Sequence, residues 1–170
     1  ALHDYNEHKI IDQIKVLLKN KKCVLISDAG SPLVSDPGYN LVNYCIANNI
    51  KVTSIPGPSA VLSSLQLSGL PMSEFALFCF VPKSKKKIED LVKTFSQETK
   101  TCVVFVSSHK LIIFLDCLEN IMADRSISIC KELTKLNEFV FRGTPSNVKN
   151  KILENKENIK GEFVAVIDRQ

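Results

Sequence analysis

Apolar residues recur along the chain in two alternating rhythms. Ile10, Ile14, Leu17 and Leu18 fall three or four apart, which predicts an amphipathic helix over residues 4–20. The short apolar run Cys23-Val24-Leu25-Ile26 reads as a strand that ends in Ser27-Asp28-Ala29-Gly30. Leu41, Val42, Cys45 and Ile46 mark a second helix, stopped at the Asn48-Asn49 pair. Residues 50–55 predict a second strand, cut off by Pro56-Gly57-Pro58, and Val61, Leu62 and Leu65 predict a third helix that closes at Gly69-Leu70-Pro71. Strands that are apolar throughout and alternate with helices predict a parallel sheet covered on both faces.

The rhythm changes after Pro71. Residues 75–81 predict a strand, and Ile88, Leu91, Val92 and Phe95 the buried face of a helix. A strand at 102–106 precedes a helix carried by Leu111, Ile112, Leu115, Leu118 and Met122. Three extended segments follow, at 126–131, 138–142 and 162–167. Between the last two, Thr144-Pro145 has the form of an N-cap and first helical residue. Phe78 and Phe80 flank Cys79 in a period of two, which core packing explains better than base stacking. The expected architecture is α/β with two lobes, 1–71 and 72–170, a parallel sheet in the first and a mixed sheet in the second.

Composition narrows the class. At 170 residues the chain suits one mid-sized domain or two small ones. With 45% apolar and 24% charged residues, wholesale disorder is excluded. No window of 18 apolar residues predicts a membrane span, and Ala1-Leu2-His3-Asp4 has no signal-peptide pattern, so the expectation is a soluble protein. The net charge of +4 is mild, but Lys83, Lys85, Lys86 and Lys87 crowd into five positions. Four lysines at a helix start oppose the helix dipole, which favours contact with nucleic-acid phosphates over a plain solvated face. The six cysteines include no C-x-x-C pair, and most sit in or beside apolar runs, as core thiols of a reduced protein do.

Two loops at strand ends are candidates for ligand binding. Ser27-Asp28-Ala29-Gly30-Ser31-Pro32-Leu33-Val34-Ser35-Asp36-Pro37-Gly38 combines glycines that admit close approach with prolines that fix the path. A tight turn with Asp36 as helix N-cap is the plainer account, and Asp28 with Asp36 as a magnesium site the weaker one. Pro56-Gly57-Pro58-Ser59-Ala60 runs straight into a helix, whose free amides and the Ser59 hydroxyl suit a polar ligand group or a simple cap. Neither loop carries a G-x-G-x-x-G or P-loop pattern.

Together, D-A-G-S-P-L-V-S-D-P-G, P-G-P-S-A and G-L-P resemble the tetrapyrrole-methylase superfamily, and within it the branch of ribosomal RNA small-subunit methyltransferases I. His3-Asp4-Tyr5-Asn6-Glu7, Phe80-Val81-Pro82-Lys83, Lys131-Glu132-Leu133-Thr134-Lys135, Arg142-Gly143-Thr144 and Lys160-Gly161-Glu162-Phe163 extend the likeness along nearly the whole chain. The resemblance implies a cytoplasmic homodimer that transfers a methyl group from S-adenosyl-L-methionine to the ribose 2′-oxygen of a cytidine in 16S rRNA. It implies cofactor contacts at Ala29, Gly30, Ser31, Val34, Ser59, Ala60, Leu133 and Gly161; the charge run Lys83, Lys85, Lys86 and Lys87 supplies the expected RNA contacts.

Methyl transfer to a hydroxyl is an in-line displacement that needs alignment and help with one proton, and no metal in principle. Lys131, Glu132 and His109 are the candidate catalytic residues. A strand-edge salt bridge accounts equally well for Lys131 and Glu132, and a helix N-terminal position for His109. Two departures from the family pattern stand out. The opening Gly-Asn-Leu-x-Asp-Ile and Glu-Asp-Thr-Arg segments are absent, with Ala1 aligning inside the first lobe. Ser107 also stands where relatives carry a Glu. The alternatives are an inactive fragment that keeps an RNA-binding or dimerisation surface, and a methylase acting on a small tetrapyrrole. Lost sheet strands would bare apolar faces and favour association.

Overall fold

The computed structural model describes residues 2–3 and 6–170, so Asp4 and Tyr5, the start of the first expected helix and part of the H-D-Y-N-E motif, lie outside the described residues. The chain divides into two compact units, Ala1–Ser59 and Ala60–Gln170. In the first unit, α1 (Glu7–Leu18) and α2 (Tyr39–Ala47) pack together around Ile11 and Cys45. The Lys15 ammonium lies 4.8 Å from the centre of the Tyr44 ring. The N-terminus of α2 is not capped by Asp36. Its N-cap position is Gly38, whose φ of 129° favours glycine, and the Glu7 carboxylate of α1 accepts from the Asn40 amide N at 3.1 Å and from Asn40 Nδ2 at 2.8 Å.

The parallel sheet expected in this unit is not formed. Among the described residues no backbone ladder joins residues 23–26 to residues 50–55. A strand is held by its ladder and one buried face; lacking both, these segments leave Val24 and Ile26 81% and Ile55 85% exposed. Cys23 is exposed for the same reason.

The second unit contains a mixed five-stranded sheet in the order β1-β2-β5-β3-β4. Its strands are β1 (Phe75–Phe80), β2 (Thr101–Ser107), β3 (Ile127–Lys131), β4 (Phe139–Gly143) and β5 (Glu162–Ile167). β1 and β2 are parallel, whereas β5 runs antiparallel between β2 and β3, and β4 antiparallel to β3. The carboxyl ends of β1, β2 and β3 therefore share one end of the sheet with the starts of β4 and β5. One face packs on α4 (Lys85–Gln97), α5 (Leu111–Ile121) and α6 (Pro145–Leu153), with Val92, Phe95, Phe114 and Leu115 fully buried. Helix α6 starts as its sequence predicts: Pro145 is in its first turn and the Thr144 hydroxyl accepts from Asn147 N. Helix α3 (Ala60–Ser68) lies on the other face, where Val61 and Leu65 meet Val103, Cys130, Val164 and Val166.

Phe78 and Phe80 do not share an environment. Phe78 packs against Phe95 with ring centres 4.9 Å apart, in the helical core as expected. Between them the register slips, Phe78 pairing with Val104 and Phe80 with Phe105, so Cys79 is the extra residue of a β-bulge. One extra residue reverses the alternation, and Phe80 turns to the face that Phe105 occupies, 61% exposed.

Candidate functional site

In the first unit the two loops singled out by sequence meet. The Ser31 hydroxyl donates to the Pro58 carbonyl at 3.5 Å, beside Ser59. Ser27 Oγ, shared between the Ala29 and Gly30 carbonyls at 3.1 and 2.8 Å, folds the first loop into a tight turn. A Cβ added at Gly30 would sit 3.8 Å from the Pro58 carbonyl, so the backbones approach closely at this point. Leu33 and Ser35 hold φ of 72° and 65°, a left-handed conformation that side chains seldom adopt and that clusters at ligand sites. Ala29, Gly30 and Val34 are exposed, and Ser31 and Ser59 half-buried. The first loop is thus an accessible turn held by the Ser27 and Ser31 hydroxyls. Asp28 is exposed at its start.

In the second unit, the remaining candidates gather at the sheet end where β1, β2 and β3 finish. Lys131 is 7% exposed, and its ammonium donates to the Glu157 carbonyl at 2.6 Å. Glu132 has φ of 48°; its Oε1 accepts from Glu162 N at 2.8 Å and from Lys135 Nζ at 3.1 Å. The hydrogen bond from the Glu162 amide, reinforced by Lys135, holds the Glu132 carboxyl below the ordinary carboxylate range. Lys135 also bridges to Glu162 at 2.8 Å, which pulls its own pKa upward. Gly161 is enclosed by this arrangement: a Cβ there would lie 2.7 Å from Glu132 Cγ.

The turn at Glu132, where β3 ends and φ is 48°, separates these residues. Lys131 follows Ile127 and Ile129 on the α4–α6 face, whereas Leu133 joins the apolar cluster under α3. Lys131, Glu132, Asn137, Phe139, Glu157 and Gly161 line a depression of about 450 Å³ on the Lys131 side. Its polar groups are largely spent on one another: Glu138 accepts from Thr134 N at 2.6 Å, and Lys160 pairs with Glu157 at 2.7 Å. Lys131 and Glu132 therefore tie strand ends together, Glu132 through an ion pair with Lys135 and Lys131 through a backbone carbonyl.

His109 occupies a single 3-10 turn, Ser108–Lys110, between β2 and α5. It is exposed, with Nδ1 3.4 Å from the Ser108 hydroxyl. β5 separates β2 from β3, so at ordinary strand spacing those two strands lie about 10 Å apart, Lys131 at the end of β3 and His109 beyond the end of β2. Lys83, Lys85, Lys86 and Lys87 are exposed at the start of α4, and Lys110 donates through Nζ to the Lys83 carbonyl. Lys110 was invisible to sequence reasoning because it is separated from the lysine run by a helix and a strand. Among the described residues Lys85 reaches a carboxylate, Glu89, at 4.0 Å, while Lys83, Lys86 and Lys87 form no ion pair. No described helix is long and apolar enough to cross a membrane.

The family model for tetrapyrrole (corrin/porphyrin) methylases matches residues 2–149. A ribosomal RNA small subunit methyltransferase I of Thermotoga maritima is 38% identical over 98% of this chain and 74% of its own length. A protein of the same name from Xylella fastidiosa is 35% identical over 98% of this chain, which spans 62% of that relative. Among solved structures, a diphthine synthase superposes with a TM-score of 0.68 at 19% identity, covering 97% of this chain and 65% of its own. With the family model matched across most of the sequence, and the two loops that carry the family's motifs in contact, the chain belongs to the tetrapyrrole (corrin/porphyrin) methylase family.

Proposed function

We propose that this chain is the methyl-transferring part of a cytoplasmic, homodimeric rRNA methyltransferase, using S-adenosyl-L-methionine to methylate the ribose 2′-oxygen of a cytidine in 16S rRNA. The contact of Ser31 with Pro58 carries this reading, because it joins the two motif loops in a chain whose relatives are named for rRNA methylation. The exposed backbone at Ala29 and Gly30 and the hydroxyls of Ser31 and Ser59 fit an adenosyl amino acid, which needs hydrogen bonds and close approach. When bound, that cofactor supplies an electrophilic methyl carbon.

The chain's own residues bind and orient. Val34 and Ser59 are proposed cofactor contacts of the first unit, and Ala60 and Leu133 of the second. Gly161 leaves room for the Glu132 carboxylate, which fixes the start of β5. His109, exposed at the β2 end, takes the proton of the attacking hydroxyl, while Lys131 and Glu132 hold the surrounding wall. Lys83, Lys85, Lys86 and Lys87 hold RNA phosphates.

Titration calorimetry with S-adenosylmethionine, followed by tritiated methyl incorporation into small ribosomal subunits, tests this. Micromolar to millimolar binding and RNA labelling are expected, with His109→Ala reducing transfer at least tenfold while cofactor affinity is kept. Absence of cofactor binding would overturn the reading. A second reading, an inactive fragment that keeps an RNA-binding or dimerisation surface, draws on the bare Val24, Ile26 and Ile55 of the first unit, which favour association. It predicts RNA binding or association with no cofactor heat.

A further inference from the structure

A phenylalanine 61% exposed at a strand end, with its ring propped on a second phenylalanine, presents a fixed apolar face to solvent. Phe80 is such a residue. By strand alternation it belongs beside Phe78 in the helical core. The bulge at Cys79 turns it out instead, onto the face where Phe105 and Leu133 share a cluster. Bulges that re-aim one side chain recur next to functional sites. The Phe80 and Phe105 rings lie 5.1 Å apart at 33°, an offset arrangement that supports Phe80 from one side and leaves its surface accessible. The Val81 amide, donating to the Phe105 carbonyl at 2.9 Å, locks the backbone immediately after it.

Three residues further on, the lysine run begins. Lys83 and Lys110 are joined through the Lys83 carbonyl, which brings a fifth ammonium to the same strand ends. An apolar ring followed by a lysine run in which Lys83, Lys86 and Lys87 form no ion pair among the described residues suits neither a protein core nor a purely apolar partner. It suits a polyanion with aromatic bases.

We propose that Phe80 is a base-stacking platform for single-stranded RNA, with Phe105 as its support and Lys83, Lys85, Lys86, Lys87 and Lys110 as the phosphate track beside it. The proposal rests on the RNA-binding part of the reading above and is independent of methyl transfer. Stacking on an aromatic side chain is tolerant of sequence and insensitive to salt, whereas phosphate contacts are salt-dependent. The two contributions are therefore separable in one titration.

The test is fluorescence anisotropy with a labelled oligocytidine 12-mer at several salt concentrations. The variants are Phe80→Ala, Phe80→Tyr and a Lys85→Gln/Lys86→Gln/Lys87→Gln triple, with melting curves and sedimentation run alongside. Phe80→Ala is expected to weaken binding about tenfold with an unchanged salt slope, and Phe80→Tyr to restore it. The triple variant is expected to flatten the slope by roughly 0.7 per lost phosphate contact. If the wild-type chain binds RNA and Phe80→Ala binds equally well, the platform is refuted and the RNA reading stands. If Phe80→Ala weakens binding only by splitting a dimer in sedimentation, the ring is an interface between copies and the platform is likewise refuted. A wild-type chain that fails to bind RNA overturns both.

Discussion

Arg142 of β4 donates through Nε to the Leu67 carbonyl at 3.0 Å, and a second bond from Nη2 reaches the same oxygen. The carbonyls of the last helical turn have no partner within the helix, so a guanidinium here satisfies one of them and complements the negative end of α3. The R-G-T motif is thereby tied to the helix that follows the P-G-P-S-A loop. Replacing Arg142 by Met keeps the stem and removes the donors. We expect a loss of about 1 kcal/mol, reduced from the usual charged-bond value by exposure, seen as a melting point lower by about 3 °C.

Glu132 gives a pH-dependent signature. Its carboxyl titrates below the ordinary range in the folded chain because the Glu162 amide and Lys135 favour the charged form. Its contribution is therefore complete above the unfolded-state pKa of about 4.3 and is lost as pH falls through the lower folded value. Glu132→Gln is expected to lower the urea midpoint at pH 7, with the gap to wild type closing in acid. A constant gap from pH 7 to pH 3 would show that the charge plays no part.

Gly161 is held at φ of 108° with Glu132 pressed against it. Gly161→Ala meets both backbone strain and a side chain at 2.7 Å, and should cost on the order of 2 kcal/mol. The double variant with Glu132→Ala removes the collision and leaves the strain, so its cost should fall below the sum of the two single changes. Additive losses in chemical denaturation would mean that the two residues do not meet.

Thiol reactivity should divide the cysteines in two classes. Cys23 and Cys79 are exposed, whereas Cys45, Cys102, Cys117 and Cys130 are buried. Burial, with the Glu98 charge adding to it, pushes the Cys102 thiol up to about 12. Titration of the native chain with a chromogenic disulfide should therefore show two fast thiols, and the other four only after unfolding. Rapid modification of Cys102 would mean that the second unit opens locally.

The second unit was legible because its strands are apolar on a period that only a sheet can bury. Ala165 and Ile167 face the helical core while Val164 and Val166 face α3, which is why a run without polar alternation still marks a strand. What periodicity could not show was the strand order, since β5 enters between β2 and β3 through contacts remote in sequence. The same local logic misplaced residues 23–26 and 50–55, where β-forming composition meets no ladder. It also misassigned the cap of α2, because Glu7 reaches Asn40 from another helix. Phe80 escaped for a third reason: a bulge leaves no mark in a sequence when no glycine announces it. At the candidate site the loops were readable from their prolines and glycines. The engagement of Lys131 with a backbone carbonyl, and its separation from Leu133 by the sheet, were not.

The central position of β5 sets a timetable for synthesis. β2 pairs with β1 and β3 with β4, but the two pairs cannot join until residues 162–167 enter between them, so the sheet closes through its last strand in sequence. Until then the nascent chain carries the open edges of one parallel and one antiparallel strand pair, a window in which a chaperone or a second nascent copy competes with the chain's own closing segment.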